Sequence, residues 1–397
     1  MFRATAYNLF LEFYTIYWHY RVANISFFVY YSITLIIHLQ KEASYTKYLL
    51  SLFAVLGMLA FSTAAAENNI HFLFSDLSDS FAAQIHVSLE SLLPGTVYSP
   101  VFMDAHGSFW TQLDQAEEAA HSGADLVCIQ SCEYASLSAA RNLLEPLEKA
   151  GIPVIFFGRS IAASTDRMLE FLSEHPDCLY IHHDPDDIGR TQGRAAGIYL
   201  CSHYAQCDLN HDGQISYIAL QGDPYDPDAQ SRTDLAVESI NTILADADHS
   251  PLVWYDGSST KALADPQCMW SADFARNTLS DVLAMHPPES GSMPELVLCG
   301  NDDMANGSIN ALFHVGYNTD LADSPSIPVF GVDGTQLAME LIEKGRMTGT
   351  VMRSPDNISR ALLSGIQFLL AGEPLNEDTG RSVGACIFPA YAYIGNP

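Results

Sequence analysis

The chain has 397 residues, with 18 Lys and Arg against 47 Asp and Glu, and a formal net charge of -29. Hydrophobic residues make up 48% and charged residues 16%, which excludes a disordered or fibrous chain and leaves room for two or three domains with a sizeable core. The acid excess opposes a nucleic-acid partner, and the eight cysteines are too dilute for a disulfide scaffold and lack zinc-site spacing.

Residues 1–66 differ from the rest: they hold four basic and two acidic residues and no Cys. Lys47, the apolar run 48–61 and the sequence Ser-Thr-Ala64-Ala65-Ala66 form the pattern of a secretory signal, with cleavage expected between Ala66 and Glu67. The stretch 22–39 is also apolar and aromatic. It is either a second membrane-spanning segment, which would tether the protein if retained, or sequence upstream of the true start. Export places the mature chain outside the cytoplasm, where disulfides are allowed but not required. The spacing leaves open whether Cys201 and Cys207 pair.

Downstream, short apolar runs recur. In chain order they are Ile70-His-Phe-Leu-Phe, Leu126-Val-Cys-Ile, Ile152-Pro-Val-Ile-Phe-Phe and Leu179-Tyr-Ile, then Ile215-Ser-Tyr-Ile-Ala-Leu, Leu296-Val-Leu and Ile327-Pro-Val-Phe-Gly-Val. Between them lie stretches with helical spacing, such as 137–150 and 335–345, the second closed by Gly345. Continuous apolar strands separated by helices predict an α/β protein with mainly parallel sheets covered on both faces. More than 300 residues exceed one such sheet. Two lobes are expected, with a break near His183, where Asp184-Pro185-Asp186-Asp187 interrupts the pattern.

The most specific motif is Asp208-Leu-Asn210-His-Asp212-Gly213-Gln214-Ile215. Oxygen-bearing side chains at alternate positions, followed by Gly and Ile, match the front of a calcium loop. Position twelve should be a bidentate Glu, but it is Ala219, inside a segment that reads as a strand. The loop can therefore hold Ca2+ only if a distant carboxylate completes the shell. Otherwise it is an acidic surface turn.

A calcium loop that runs straight into a strand resembles the periplasmic galactose/glucose-binding proteins, the soluble receptors of ABC sugar importers. The resemblance covers nearly all of 67–397. It is carried by Asp79-Ser-Phe81, Gly222-Asp-Pro-Tyr-Asp226-Pro-Asp228-Ala-Gln-Ser-Arg232, Met269-Trp270, Glu295-Leu-Val-Leu-Cys-Gly-Asn301-Asp302, Ile327-Pro-Val-Phe-Gly-Val-Asp333 and Gly349-Thr350-Val351. It implies a two-lobed periplasmic binding protein fold, each lobe a mainly parallel sheet flanked by helices, joined by a hinge. The lobes would comprise 67–183 with 354–388, and 184–353 with 389–397.

The resemblance also implies a binding role rather than an enzymatic one. A monosaccharide, glucose or galactose, would be captured between the lobes and delivered to a membrane permease. A chemoreceptor is a second partner that can read the same closed form. The protein is expected to be periplasmic and monomeric. Phe81 and Trp270 would sandwich the sugar ring, while Asp79, Asp228, Arg232, Asn301 and Asp333 would bind its hydroxyls. Asp208, Asn210, Asp212, the Gln214 carbonyl and Ser216 would hold Ca2+, with Glu295 as the remote bidentate ligand.

Three sugar positions depart from the family. Its Asn after Phe-Phe is replaced by Gly158 followed by Arg159, its His by Asp226, and its Asn after Gly-Thr-Val-x by Arg353. The first two changes fall at the hydroxymethyl end of a hexose. There Arg159 and Asp226 are expected to pair across the cleft, since a lone buried charge is costly. A sugar-responsive repressor would need a basic helix-turn-helix, which 1–66 does not offer. A glycosidase would need two opposed carboxylates, one with a raised pKa.

Overall fold

The computed structural model describes residues 68–321, 324–372, 374–375, 381–383, 385–389 and 391–395. The expected signal and the apolar stretch 22–39 lie outside the described residues. Strand and helix alternate from the start. The first lobe contains β1 (Asn68–Phe74), α1 (Ser80–Leu92), β2 (Tyr98–Asp104), α2 (Phe109–Ser122), β3 (Leu126–Ile129), α3 (Leu137–Ala150), β4 (Val154–Phe157), α4 (Thr165–Glu174) and β5 (Cys178–Ile181).

The second lobe begins with α5 (Pro185–Ser202), α6 (Tyr204–Cys207), β6 (Ser216–Gln221) and α7 (Pro227–Asp246). It continues through β7 (Val253–Trp254), β8 (Leu263–Ala264), α8 (Ala272–Met285), β9 (Leu296–Cys299), α9 (Asp302–His314), β10 (Val329–Asp333), α10 (Gln336–Glu343) and β11 (Gly349–Arg353). The chain then returns to the first lobe with α11 (Pro355–Ala371), β12 (Arg381–Val383) and β13 (Cys386–Phe388). It ends in the second with β14 (Tyr391–Gly395).

The first sheet runs β12-β13-β5-β4-β3-β1-β2 and the second β14-β11-β10-β9-β6-β7, with β8 paired to β6. Pairing is parallel except at β12–β13 and β11–β14. The chain thus crosses between sheets after β5, between β11 and α11, and between β13 and β14. Strands β3, β4, β5, β6 and β9 are buried along their whole length. Their side chains alternate between two packed faces. In the first lobe Leu73, Val127, Ile129, Val154 and Phe156 join one core, and Phe72, Phe74, Cys128, Ile155 and Phe157 the other. Each such fully buried side chain contributes about 1.5–3 kcal/mol of transfer free energy.

Helix starts bring polar side chains to the ends of these strands. Asp79 caps α1 by accepting from Ala82 N at 2.7 Å. Asp226 caps α7 ahead of Pro227, accepting from Asp228 N at 2.9 Å, and Asn301 caps α9, accepting from Met304 N at 2.9 Å. Helices α5 and α7 pack closely because Gly189 and Gly193 present no side chain. A Cβ at these positions would stand 2.5 Å from Arg232 O and 2.3 Å from Ala236 O. That close approach fixes the height of Arg232. All eight cysteines are free, so Cys201 and Cys207 do not pair. Among the described residues no helix is long and apolar enough to cross a membrane.

Candidate functional site

The strand ends of both sheets face one cleft. Asp79 follows β1, Gln130 follows β3, Gly158 and Arg159 follow β4, and His182 follows β5. From the other lobe, Asp226 and Asp228 follow β6, Asn301 follows β9, and Asp333 and Arg353 end β10 and β11. These residues, with Phe81, Tyr134, Arg232 and Trp270, line a cavity of about 470 Å3, its mouth included. Carboxyl ends of strands are where open α/β sheets bind ligands. The structure therefore brings together every side chain that the sequence singled out for a sugar. It adds Gln130, Tyr134 and His182, which carried no recognisable motif.

Trp270 is set by the absence of other side chains. A Cβ on Gly222 would stand 1.9 Å from the indole, and one on Gly300 would stand 3.1 Å from it. The backbone of Trp270 is left-handed, with φ 53°, and its carbonyl accepts from Asn301 Nδ2 at 3.1 Å. The Arg232 guanidinium lies 5.6 Å from the indole centroid and donates to Gly300 O at 2.6 Å. Its Nε, fully buried, has no acceptor among the described residues. The result is a fixed aromatic plane edged by a guanidinium that lines the cavity.

One cleft carboxylate, Asp228, is held from the opposite lobe. Asp228 accepts from Ser160 Oγ at 2.8 Å through Oδ1 and lies 3.0 Å from His182 Nε2 through Oδ2. Burial opposes its ionised form, but His182, Ser160 and Arg232 more than offset this and hold its carboxyl below the usual range. On the outer edge Ser80 Oγ donates to Asp303 at 2.8 Å, a further link between the lobes. Burial and the neighbouring Asp228 push Asp226 the other way, up to about 7, although Arg232 and Arg159 oppose the rise.

The positions that depart from the family are resolved individually. The expected pairing of Arg159 with Asp226 is not found among the described residues. Arg159 instead stacks on Tyr134, 4.6 Å from its centroid, while Asp226 is spent on the helix cap. Space beside Gly158, whose φ is 71°, is taken by Gln130: its amide nitrogen is 3.3 Å from where a Cβ would stand. Gln130 is anchored at its other end, accepting from Ser75 Oγ at 3.0 Å. Arg353 donates from Nε at 2.8 Å and also from Nη2 to Asp333 Oδ1, and its Cζ lies 4.0 Å over the Phe81 ring. The Phe81 ring that the resemblance assigns to a sugar therefore carries a stacked guanidinium.

Glu295 is hydrogen-bonded to both ends of the calcium-like loop. Glu295 is 1% exposed. One carboxylate oxygen accepts from Leu209 N at 2.7 Å and Asn210 N at 3.3 Å, the other from Ser216 N at 2.9 Å and Ser216 Oγ at 3.2 Å. Asp208 accepts from Asp212 N and Gly213 N, and Asp212 from Gln214 N. All these groups have the oxygen chemistry a hard cation takes. Their placement is that of a loop closed on its own N–H groups. Among the described residues no three acidic, His or Cys side chains converge on one point. The Ser216 hydroxyl also lies 3.0 Å from Met293 O, so its single proton is shared between that carbonyl and Glu295.

A profile of the periplasmic binding protein domain matches residues 70–374. The D-galactose/methyl-galactoside-binding periplasmic protein of Haemophilus influenzae is 26% identical over 336 residues, covering 82% of this chain and 91% of that one. Among solved structures, an ABC transporter solute-binding protein from Clostridium phytofermentans with bound β-D-glucose superposes with a TM-score of 0.62 at 19% identity, covering 83% of this chain and 94% of that one. A solute-binding protein from Bacillus halodurans with bound myo-inositol gives 0.60 at 17%, covering 84% and 96%.

Charge burial in the cleft makes stability depend on pH. Asp226, raised in the folded state from 3.8 to about 7, keeps its proton in a window where the unfolded chain has lost it. Its contribution to stability is thus favourable at acid pH and is lost as pH rises from about 4 to about 7. Asp226→Asn preserves the cap and removes the titration. In thermal melts without ligand it should raise Tm at pH 8 by about 2 °C or more, with the gain shrinking toward pH 4. A gain of the same size at both pH values would contradict a buried, proton-retaining Asp226.

Proposed function

This chain belongs to the periplasmic binding protein family, and we propose that it is the extracytoplasmic receptor of a sugar importer. Its relatives and its fold are those of substrate-binding transport proteins, not enzymes. It captures a monosaccharide between its lobes and presents it to the membrane permease of an ABC transporter. One observation carries this reading: a single cavity, walled by both lobes, sets the indole of Trp270 among Asp79, Asp228, Arg232 and Asn301.

A sugar ring has an apolar C–H face and a rim of hydroxyls. An aromatic plane covers the first, and charged or amide groups make strong hydrogen bonds to the second. The buried, unsatisfied Nε of Arg232 is a donor waiting for such an oxygen. The ligands named for the relatives, a galactoside, glucose and myo-inositol, are polyhydroxylated rings. The ligand proposed here is an aldohexose of the glucose or galactose type. The Asp208–Gln214 loop is proposed to take Ca2+ when the ion is present. In support, Glu295 is a buried carboxylate whose stabilisers are N–H and hydroxyl donors rather than a Lys or Arg, and burial raises its pKa.

Calorimetry of the exported protein against aldohexoses tests the ligand. Trp270→Ala should weaken binding by at least ~1 kcal/mol, about five-fold. Gly222→Ala should act in the same direction, because its methyl occupies the place of the indole. Unchanged affinity in both variants would remove the assigned pocket. The metal has its own test. Calcium should raise Tm, since the ion would bind only the folded loop, and Glu295→Gln should abolish most of that rise. A rise of equal size in the variant would exclude Glu295 as a ligand.

A further inference from the structure

Arg353 occupies two features of the cleft that a sugar would otherwise use. Its guanidinium lies over Phe81 with Cζ 4.0 Å from the ring centroid, and two of its nitrogens donate to Asp333 Oδ1. Neither partner is loosely held. Phe81 is 4% exposed and belongs to the first-lobe core. The Asp333 backbone sits at φ 121°, a conformation costly for any residue but glycine. A Cβ on the following Gly334 would stand 2.4 Å from Met352 Cγ, so this turn is locked against β11. Arg353 itself is fixed by the pairing of β11 with β14, opposite Tyr391, one residue before the chain crosses into α11. Its side chain is 11% exposed and that of Asp333 is 3%. The guanidinium therefore joins the two lobes and forms the wall of the cleft on the side of Phe81.

Resting on the sugar reading above, we propose that Arg353 limits how tightly the cleft holds a pyranose, by stacking on the aromatic ring of Phe81. A pyranose sandwiched between Phe81 and Trp270 would have to displace a stacked guanidinium from a buried ion pair. The site then disfavours rings that need two aromatic faces. It favours a ring that lies on Trp270 and turns hydroxyl oxygens toward the N–H groups of Arg353 not engaged by Asp333. The planar fork matters as well as the charge: a Lys could answer Asp333 but would leave the ring uncovered.

The test is calorimetry of the exported protein with D-glucose and D-galactose, in wild type, Arg353→Asn and Arg353→Lys, each also carrying Phe81→Leu. Thermal melting confirms that every variant is folded. Arg353→Asn is expected to tighten binding of both hexoses ~10-fold or more, with Arg353→Lys shifted in the same direction. Phe81→Leu is expected to cost at least ~10-fold more in the Arg353→Asn background than in wild type, because only there does the ring face the sugar. Weaker or unchanged binding in Arg353→Asn, Arg353→Lys behaving as wild type, or equal costs of Phe81→Leu in both backgrounds would overturn the proposal while leaving the receptor role standing. Failure of every protein to bind any monosaccharide on a wider panel would overturn the receptor role and this inference with it.

Discussion

Asp228 shows the constraint on which the cleft depends. A carboxylate taken out of water must be paired and hydrogen-bonded or it loses its charge. Here the partners come from the opposite lobe, His182 and Ser160, so satisfying the charge also brings the lobes together. Arg353 is paired within its own lobe, with Asp333, and reaches the opposite lobe by stacking on Phe81. Among the described residues Asp226 has no ion-pair partner, and it is pushed toward its neutral form. The same rule of charge burial accounts for both outcomes, and the difference is that Asp228 receives direct hydrogen bonds from His182 and Ser160 while Asp226 is held only by the N–H of its helix cap.

The scaffold brings these groups together by simple means. Parallel strands end together, and each is followed by a helix whose first residues must cap free N–H groups. Polar side chains therefore collect at one edge of each sheet. Asp79, Asp226 and Asn301 are caps as well as cavity residues. Glycine supplies the close tolerances: Gly222 makes room for an indole, and Gly189 and Gly193 let α7 approach α5 closely enough to set Arg232. Local backbone strain at Trp270 and Asp333 falls on two residues of the site, which is where strained conformations tend to be kept.

Much of this was legible in the sequence, for identifiable reasons. Fully buried parallel strands such as β3, β4 and β9 read as unbroken apolar runs, and α3 was bounded by its helical spacing. Strand β2, partly exposed along its length, and the two-residue β7 and β8 carried too little apolar signal. Site residues close to a motif were found. Gln130 and His182 were not, because each directly follows a strand with no motif around it. Geometry alone shows that Gln130 fills the space beside Gly158. The expected pairing of Arg159 with Asp226 failed because sequence indicates charge but not direction. The aromatic ring of Tyr134 and the cap of α7 were nearer partners.

The most direct measurement is a crystal structure of the exported protein with its tightest-binding monosaccharide. The ring should lie in the interlobe cavity with one face on Trp270 and its hydroxyls on Asp228 and on the Nε of Arg232. A ring bound outside that cavity, or within it but touching neither Trp270 nor Arg232, would contradict a receptor built on this cleft.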